Sequence, residues 1–332
     1  MNLIDYIKLK RNLNNEMDDF QEDLYKWGLE SIFLLMLDTR LGCLDFDITH
    51  DCEAANLIKS AHDTIDAIMR TETGSDSWVK KETNDYKKLV NAQDIMAKIV
   101  DKYFSKKVES LHDDDDEDSM ISQFFQHPQA NYKDIFAMII DLILAGIDTT
   151  SFTGGFALYY LAKNPDSQRL IRQEIDNVVT GKEDALSHDK LAKMPYLKAC
   201  VKETMRLQPV SIGVGRVSTQ EMVIKDYEIP IGTMIITHNQ IASRQEQHFP
   251  QADKFCPERW LSNQRPAPFV SLPFGYGPRM CIGRRISEME LYVLLVKLIK
   301  NFSIEYHHED IGIKTRLINI PNRPMRFRFI DL

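Results

Sequence analysis

Positive charge is in short supply. Against 49 Asp and Glu the chain carries 41 Lys and Arg, a net charge of −8. Nucleic-acid binders usually present a basic stripe, so the balance argues against that class. Cysteine is scarce too: Cys43, Cys52, Cys200, Cys256 and Cys281 are odd in number and have no paired spacing. That argues against a disulfide framework and for a reducing compartment. No Cys/His array has zinc spacing. The run His307-His308-Glu309-Asp310 reads as a solvated polar loop. The longest apolar stretch, Ile135–Leu161, contains Asp141 and Asp148, which a bilayer would penalise, so it reads as a buried helix. Neither a signal peptide nor a transit peptide is expected at Met1. No internal repeat is visible.

What is present is apolar periodicity. Hydrophobic residues make up 43% of 332, enough for a sizeable core in one large or two ordinary domains. Residues 16–40 have helical spacing, with Phe20, Leu24, Trp27, Ile32, Leu35 and Met36 as core contacts. Further helical patterns cover 51–70 and 78–108, and Asp113–Asp118 reads as a solvated acidic loop. A long helix is expected over 132–164, stopping before Pro165 and spanning roughly 50 Å. Shorter helices follow at 166–180, 187–193 and 195–207. Residues 221–238 alternate around Pro230-Ile231-Gly232 and predict a β-hairpin. An irregular stretch, 245–273, leads to a last helix over 282–301. In the tail, 315–331, the turn Pro321–Pro324 separates two strand-like runs. The fold class is mainly α with small β-sheets.

The most informative segment is Phe274-Gly275-Tyr276-Gly277-Pro278-Arg279-Met280-Cys281-Ile282-Gly283. Gly275, Gly277 and Gly283 remove side chains where a flat, bulky group could lie against the backbone. Cys281 precedes a helix, whose dipole and free N–H groups favour negative charge. A thiolate there suits a soft or redox-active metal. The segment resembles the haem-binding loop of the cytochrome P-450 monooxygenases, Phe-x-x-Gly-x-Arg-x-Cys-x-Gly, at Phe274, Gly277, Arg279, Cys281 and Gly283. The resemblance implies haem b (iron protoporphyrin IX), with Cys281 as axial ligand to the iron and Phe274, Gly277 and Gly283 packing the cofactor.

Within the long helix, Ala145-Gly146-Ile147-Asp148-Thr149-Thr150 sets a mid-helix glycine, which costs roughly 1 kcal/mol against alanine, beside an acid and two hydroxyls. Small residues there suggest room for a ligand; Thr149 could hold a hydroxyl or water beside a reacting group and Asp148 could feed a proton relay. The segment is similar to the family's oxygen-activation pattern. That likeness makes Asp148 and Thr149 the proton-delivery pair, with Ala145 and Gly146 leaving space for oxygen and substrate.

Glu203 and Arg206 stand at i, i+3 on one helix face. A buried pair of this kind needs a third partner, and Arg259 in Pro257-Glu258-Arg259-Trp260 is the candidate. The family has the same triad, which gives Glu203, Arg206 and Arg259 a structural role. Arg279 and Arg216 match family positions that contact haem propionates.

Lys198 and Lys202 lie at i, i+4, about 90° round the helix from Glu203 and Arg206. With Arg284 and Arg285 they would form a basic patch on the cysteine side of the haem. This resembles the mitochondrial class, as does Cys281–Glu290. The implied donor is an adrenodoxin-type [2Fe–2S] ferredoxin with an NADPH-dependent reductase. The implied location is peripheral, on the matrix side of the mitochondrial inner membrane.

By the resemblance, the chain is a single partial domain, 1–332. Residues 16–40 match a helix well inside the family fold, so the family's N-terminal third, with two strands of its main sheet and one propionate clamp, has no counterpart. An unpaired sheet edge, a pocket open on one flank and weak haem retention are expected. The implied activity is insertion of one atom of O2 into a lipophilic substrate: a steroid, sterol or xenobiotic. Lining segments would be Phe136–Thr150, Val210–Val214 and Ile318–Pro321. The alternatives are an inactive shortened chain and a non-enzymatic haem-binding protein. Thr149 and Asp148 favour an enzyme over a sensor, because a sensor needs no proton delivery.

Overall fold

A 32-residue helix, Tyr132–Lys163, organises the chain, and most of the longer helices pack along it. We describe a computed structural model, which covers residues 2–45, 52–73, 81–111, 119–179, 181, 185–262 and 266–332. The acidic run Asp113–Asp118 lies outside the described residues. The helices are α1 (Leu3–Lys10), α2 (Phe20–Leu37), α3 (Glu53–Thr73), α4 (Asn84–Ser110), α5 (Met120–Phe125), α6 (Tyr132–Lys163), α7 (Pro165–Val178), α8 (His188–Ala192), α9 (Pro195–Leu207), α10 (Asn239–Ala242) and α11 (Arg284–Asn301). Local chemistry sets their starts. The side chains of Asn2, Asp19, Thr83, Ser119, Asn131 and Ser187 each accept a backbone N–H of the first turn. Pro165 and Pro195 open α7 and α9, where the missing N–H costs nothing.

The core has two parts, and α6 contributes to both. Its N-terminal half, from Ile135 to Ile147, packs with Leu29, Phe33, Leu57, Val100 and Phe104 of α2, α3 and α4. Its C-terminal half, from Phe156 to Ala162, packs with Leu197 of α9, Leu294 and Leu298 of α11 and the aromatic tail residues Phe327 and Phe329. The α2–α6 contact is close. A Cβ on Gly28 would lie 2.7 Å from Ser151 Oγ, which itself donates to Leu24 O of α2 at 2.9 Å. Gly146 has the same cause: a Cβ there would meet Ile32 at 3.0 Å. Helix packing therefore accounts for the mid-helix glycine, although Gly146 also borders the cavity described below.

Among the described residues the strands form four antiparallel pairs: β1 (Val214–Val217) with β4 (Met234–Thr237), β2 (Met222–Ile224) with β3 (Tyr227–Ile229), β5 (Phe302–Glu305) with β8 (Arg328–Asp331), and β6 (Ile313–Thr315) with β7 (Asn319–Pro321). Residues 221–238 are not one hairpin. The tight turn is at Lys225 (φ +54°), joining β2 to β3, while Pro230–Gly232 redirects the chain so that β4 pairs back onto β1. The two runs of the tail likewise pair with other strands, not with each other. Sequence reading did not anticipate α1 or α5. The His307–Asp310 run is a polar loop whose members pair separately, with Glu305, Glu16, Arg323 and Lys163. No cluster of three metal-ligating side chains occurs among the described residues.

Candidate functional site

Between α6 and the start of α11 lies a cavity of about 390 Å³. One wall is the loop 272–283. Gly275 N–H donates to Leu272 O, Met280 N–H to Gly277 O, and Cys281 N–H to Phe274 O at 2.9 Å. Gly275 (φ +72°) and Gly277 (φ +81°) adopt the left-handed region that L side chains avoid, so this turn needs glycine. Gly283 then caps α11, leaving Cys281 just ahead of the first turn with its thiol free and exposed to the cavity. A Cβ on Gly283 would stand 3.9 Å from Cys281 Sγ.

The opposite wall is α6. Ala145 and Thr149, one turn apart, line the cavity, and Thr149 Oγ1 donates to Ala145 O at 2.8 Å. Phe274, Gly275, Arg279, Gly283 and Gly146 complete the predicted residues that border the space. Arg279 is exposed and has no ion-pair partner among the described residues. Gly277 shapes the turn but does not border the cavity. Arg216 lies beyond it as well. By strand alternation it shares a face with cavity-lining Val214, but its guanidinium turns back to Gly215 O at 2.8 Å.

Asp148, the other member of the expected proton-delivery pair, does not line the cavity. Neighbouring helical residues diverge by about 100°, and here Thr149 takes the cavity side. Asp148 is buried on the α3 side, with Oδ1 3.2 Å from His62 Nε2. Burial would lower the His62 pKa, but the adjacent Asp148 carboxylate outweighs it and holds it above the ordinary value.

The structural triad is assembled. Arg206 gives two hydrogen bonds to Glu203 and three more to the carbonyls of Ser243, Ala252 and Lys254. Arg259 Nε donates to Glu203 at 3.0 Å. Trp260 Nε1 (2.9 Å) and Cys256 N–H (3.0 Å) add two donors that spacing did not reveal, although Trp260 adjoins Arg259 in sequence.

Lys202 and Arg284 share a smaller cleft with Glu288, which Arg284 Nε approaches at 3.4 Å. Lys198 lies 6.0 Å from the Tyr292 ring of α11, and Arg285 is exposed. The four cations thus sit on the α9 and α11 side, with one carboxylate among them.

Sequence reasoning also missed Glu290. It and Arg279 are the charged residues of the cavity lining. Burial pushes the Glu290 carboxyl up to about 7, and a hydrogen bond with Thr150 only partly offsets this. Its signal was present: an acid one turn before the buried Leu294 on the same face of α11.

The family model for Cytochrome P450 matches residues 2–329. The chain is 35% identical to "Probable cytochrome P450 49a1" of Drosophila melanogaster, over 97% of this chain and 58% of that protein. It is 33% identical to "Cytochrome P450 CYP12A2" of Musca domestica, over 95% and 62%. It is also 33% identical to "Cytochrome P450 302a1, mitochondrial" of Drosophila melanogaster, over 98% and 66%. The chain therefore spans between 58% and 66% of the length of these relatives.

Proposed function

Since the chain belongs to the cytochrome P450 family, we propose that it forms the cysteine-bearing part of a haem-dependent monooxygenase, with Cys281 as the iron ligand. One observation carries this reading. The exposed Cys281 thiol, the Arg279 cation and the glycine-backed loop face Thr149 and Gly146 of α6 across one apolar cavity.

The residues fit haem b. A thiol, a free cation for a propionate and side-chain-free backbone at Gly275 and Gly283 form one wall, lined otherwise by Phe274, Ile286 and Leu291. When bound, haem under a thiolate supplies reductive activation of O2, so that RH, O2, two electrons and two protons give ROH and water. Cys281 holds the iron, and the Phe274 carbonyl fixes its backbone. Thr149 holds a hydroxyl at the α6 wall, placed to orient a water by accepting its hydrogen bond. Glu203, Arg206 and Arg259 anchor the segment before the cysteine loop and touch no reacting atom.

The substrate is lipophilic, a steroid, sterol or xenobiotic, because Ile32, Met36, Leu142, Val210 and Ile318 line the cavity. Electrons come from an acidic [2Fe–2S] ferredoxin, reduced by an NADPH-dependent reductase, that docks on Lys198, Lys202, Arg284 and Arg285. Several relatives have names that include the word mitochondrial, which supports a mitochondrial location; the family resemblance makes it peripheral, on the matrix side of the inner membrane.

The test is spectral. In haem-loaded protein, Cys281→Ser should abolish the red-shifted Soret band of the reduced carbon monoxide complex. Persistence of that band would overturn the assignment.

A further inference from the structure

We infer that His62 of α3 is the positioning and proton-supplying partner of Asp148, connecting the back of the α6 wall to solvent. The inference rests on the reading of Asp148 as part of proton delivery, and it names a residue that lies outside the family's short patterns.

Three observations carry it. First, the Asp148 side chain is 4% exposed and turned from the cavity, so it needs another route to solvent. Second, His62 provides one. Its side chain is 37% exposed, yet its Nε2 is buried and faces Asp148 Oδ1 at 3.2 Å. Nε2 is buried against the carboxylate, so the exposed surface of the side chain lies away from it, and Nδ1 is not among the buried unpartnered atoms. Third, the ring is held in place. Tyr25 of α2 packs edge-on against it, with centroids 4.5 Å apart, and itself packs against Phe152 of α6.

The chemistry follows from imidazole having two nitrogens. A proton taken up at Nδ1 allows the Nε2 proton to pass to Asp148 Oδ1, which leaves the ring neutral as its Nδ1–H tautomer; the ring turns over or exchanges tautomer through solvent before the next proton passes. The contact is 3.2 Å and both atoms are otherwise unpartnered, so a small side-chain movement completes the hydrogen bond along which a proton passes. The charges acting on the imidazole are Asp148 on α6, Glu22 on α2 and Asp63 on α3 itself, all acidic, so each favours the protonated ring.

Two measurements test this. In the chain itself, the His62 ring resonance, assigned by its loss in His62→Gln, should titrate above the ordinary value of about 6.5. Asp148→Asn should bring it down, and an unmoved titration would overturn the pairing. In haem-loaded protein supplied with reductant and O2 but no added substrate, the fraction of O2 released as hydrogen peroxide reports proton delivery. His62→Gln should raise it severalfold and flatten its pH profile. His62→Lys keeps a cation beside Asp148 but releases no proton near neutrality. It should fold like the parent and show the same rise. Parent-like peroxide release in His62→Lys would reduce His62 to an ion-pair partner and sink the proposal. Failure of the underlying haem reading would look different, because the parent itself would then lack the thiolate spectrum.

Discussion

Arg206 and Glu203, one turn apart on α9, meet through two hydrogen bonds of 2.9 and 2.8 Å, and both side chains are fully shut off from solvent. Burying two charges is unfavourable unless every remaining polar site is filled. Here three backbone carbonyls take the rest of the guanidinium, and Arg259, Trp260 and Cys256 N–H fill the carboxylate.

Removing one partner leaves the other charge buried and alone. Arg206→Ala should therefore cost about 3–5 kcal/mol, read as a fall in the urea midpoint. Lysine cannot reproduce the planar fork, so Arg206→Lys should rescue little of it. A midpoint unchanged in Arg206→Ala would refute the pairing as a source of stability.

The α2–α6 contact should tolerate no added methyl. A Cβ on Gly28 would lie 2.7 Å from Ser151 Oγ and 3.1 Å from the Ile147 carbonyl, and the latter cannot rotate away. Gly28→Ala should cost about 1–3 kcal/mol by overpacking. Gly232→Ala has open space around it and is the control for helix crowding, although its φ of +85° adds backbone strain of its own. Equal midpoints for Gly28→Ala and the parent would mean the helices separate freely.

Glu290 predicts a pH dependence. Its folded value, about 7, stands above the ordinary value of 4.5, so the native state binds more protons between these limits. Stability from this group is fully present below the lower value and is lost as pH rises through the upper one. The urea midpoint should fall across that window, and Glu290→Gln should remove that part of the slope. An identical slope in the variant would assign it to other groups.

Asn319 pins the Val210 wall of the cavity. Its Nδ2 donates to Pro209 O (2.8 Å) and Gln240 Oε1 (3.0 Å), its Oδ1 accepts from Thr315, and its backbone N–H reaches Val210 O. Asn319→Leu should strand the buried Pro209 carbonyl and remove the bonds to Gln240 and Thr315, at a cost of about 1–3 kcal/mol. It should also speed amide exchange at Ser211–Val214. Parent-like exchange would show that β7 alone holds the wall.

What the sequence by itself determined is local in origin. The cysteine loop, the Thr149 helix and the Glu203–Arg206 pair were legible because their spacing is fixed by one turn or one helical repeat. Helix starts are also local in origin, since a capping side chain acts within three residues, although α1 and α5, capped by Asn2 and Ser119, were not anticipated. Tertiary structure decided the rest. Adjacent residues on α6 point to different neighbours, and only the position of α3 shows that Asp148 meets His62 while Thr149 meets the cavity. Only the packing of α11 against α6 turns Glu290 into a buried carboxyl. Strand pairing depended likewise on distant partners: β4 finds β1 across the β2–β3 hairpin, and β8 finds β5. Alternation says that a segment is a strand, but hydrogen-bond partners are chosen by where the chain returns in space.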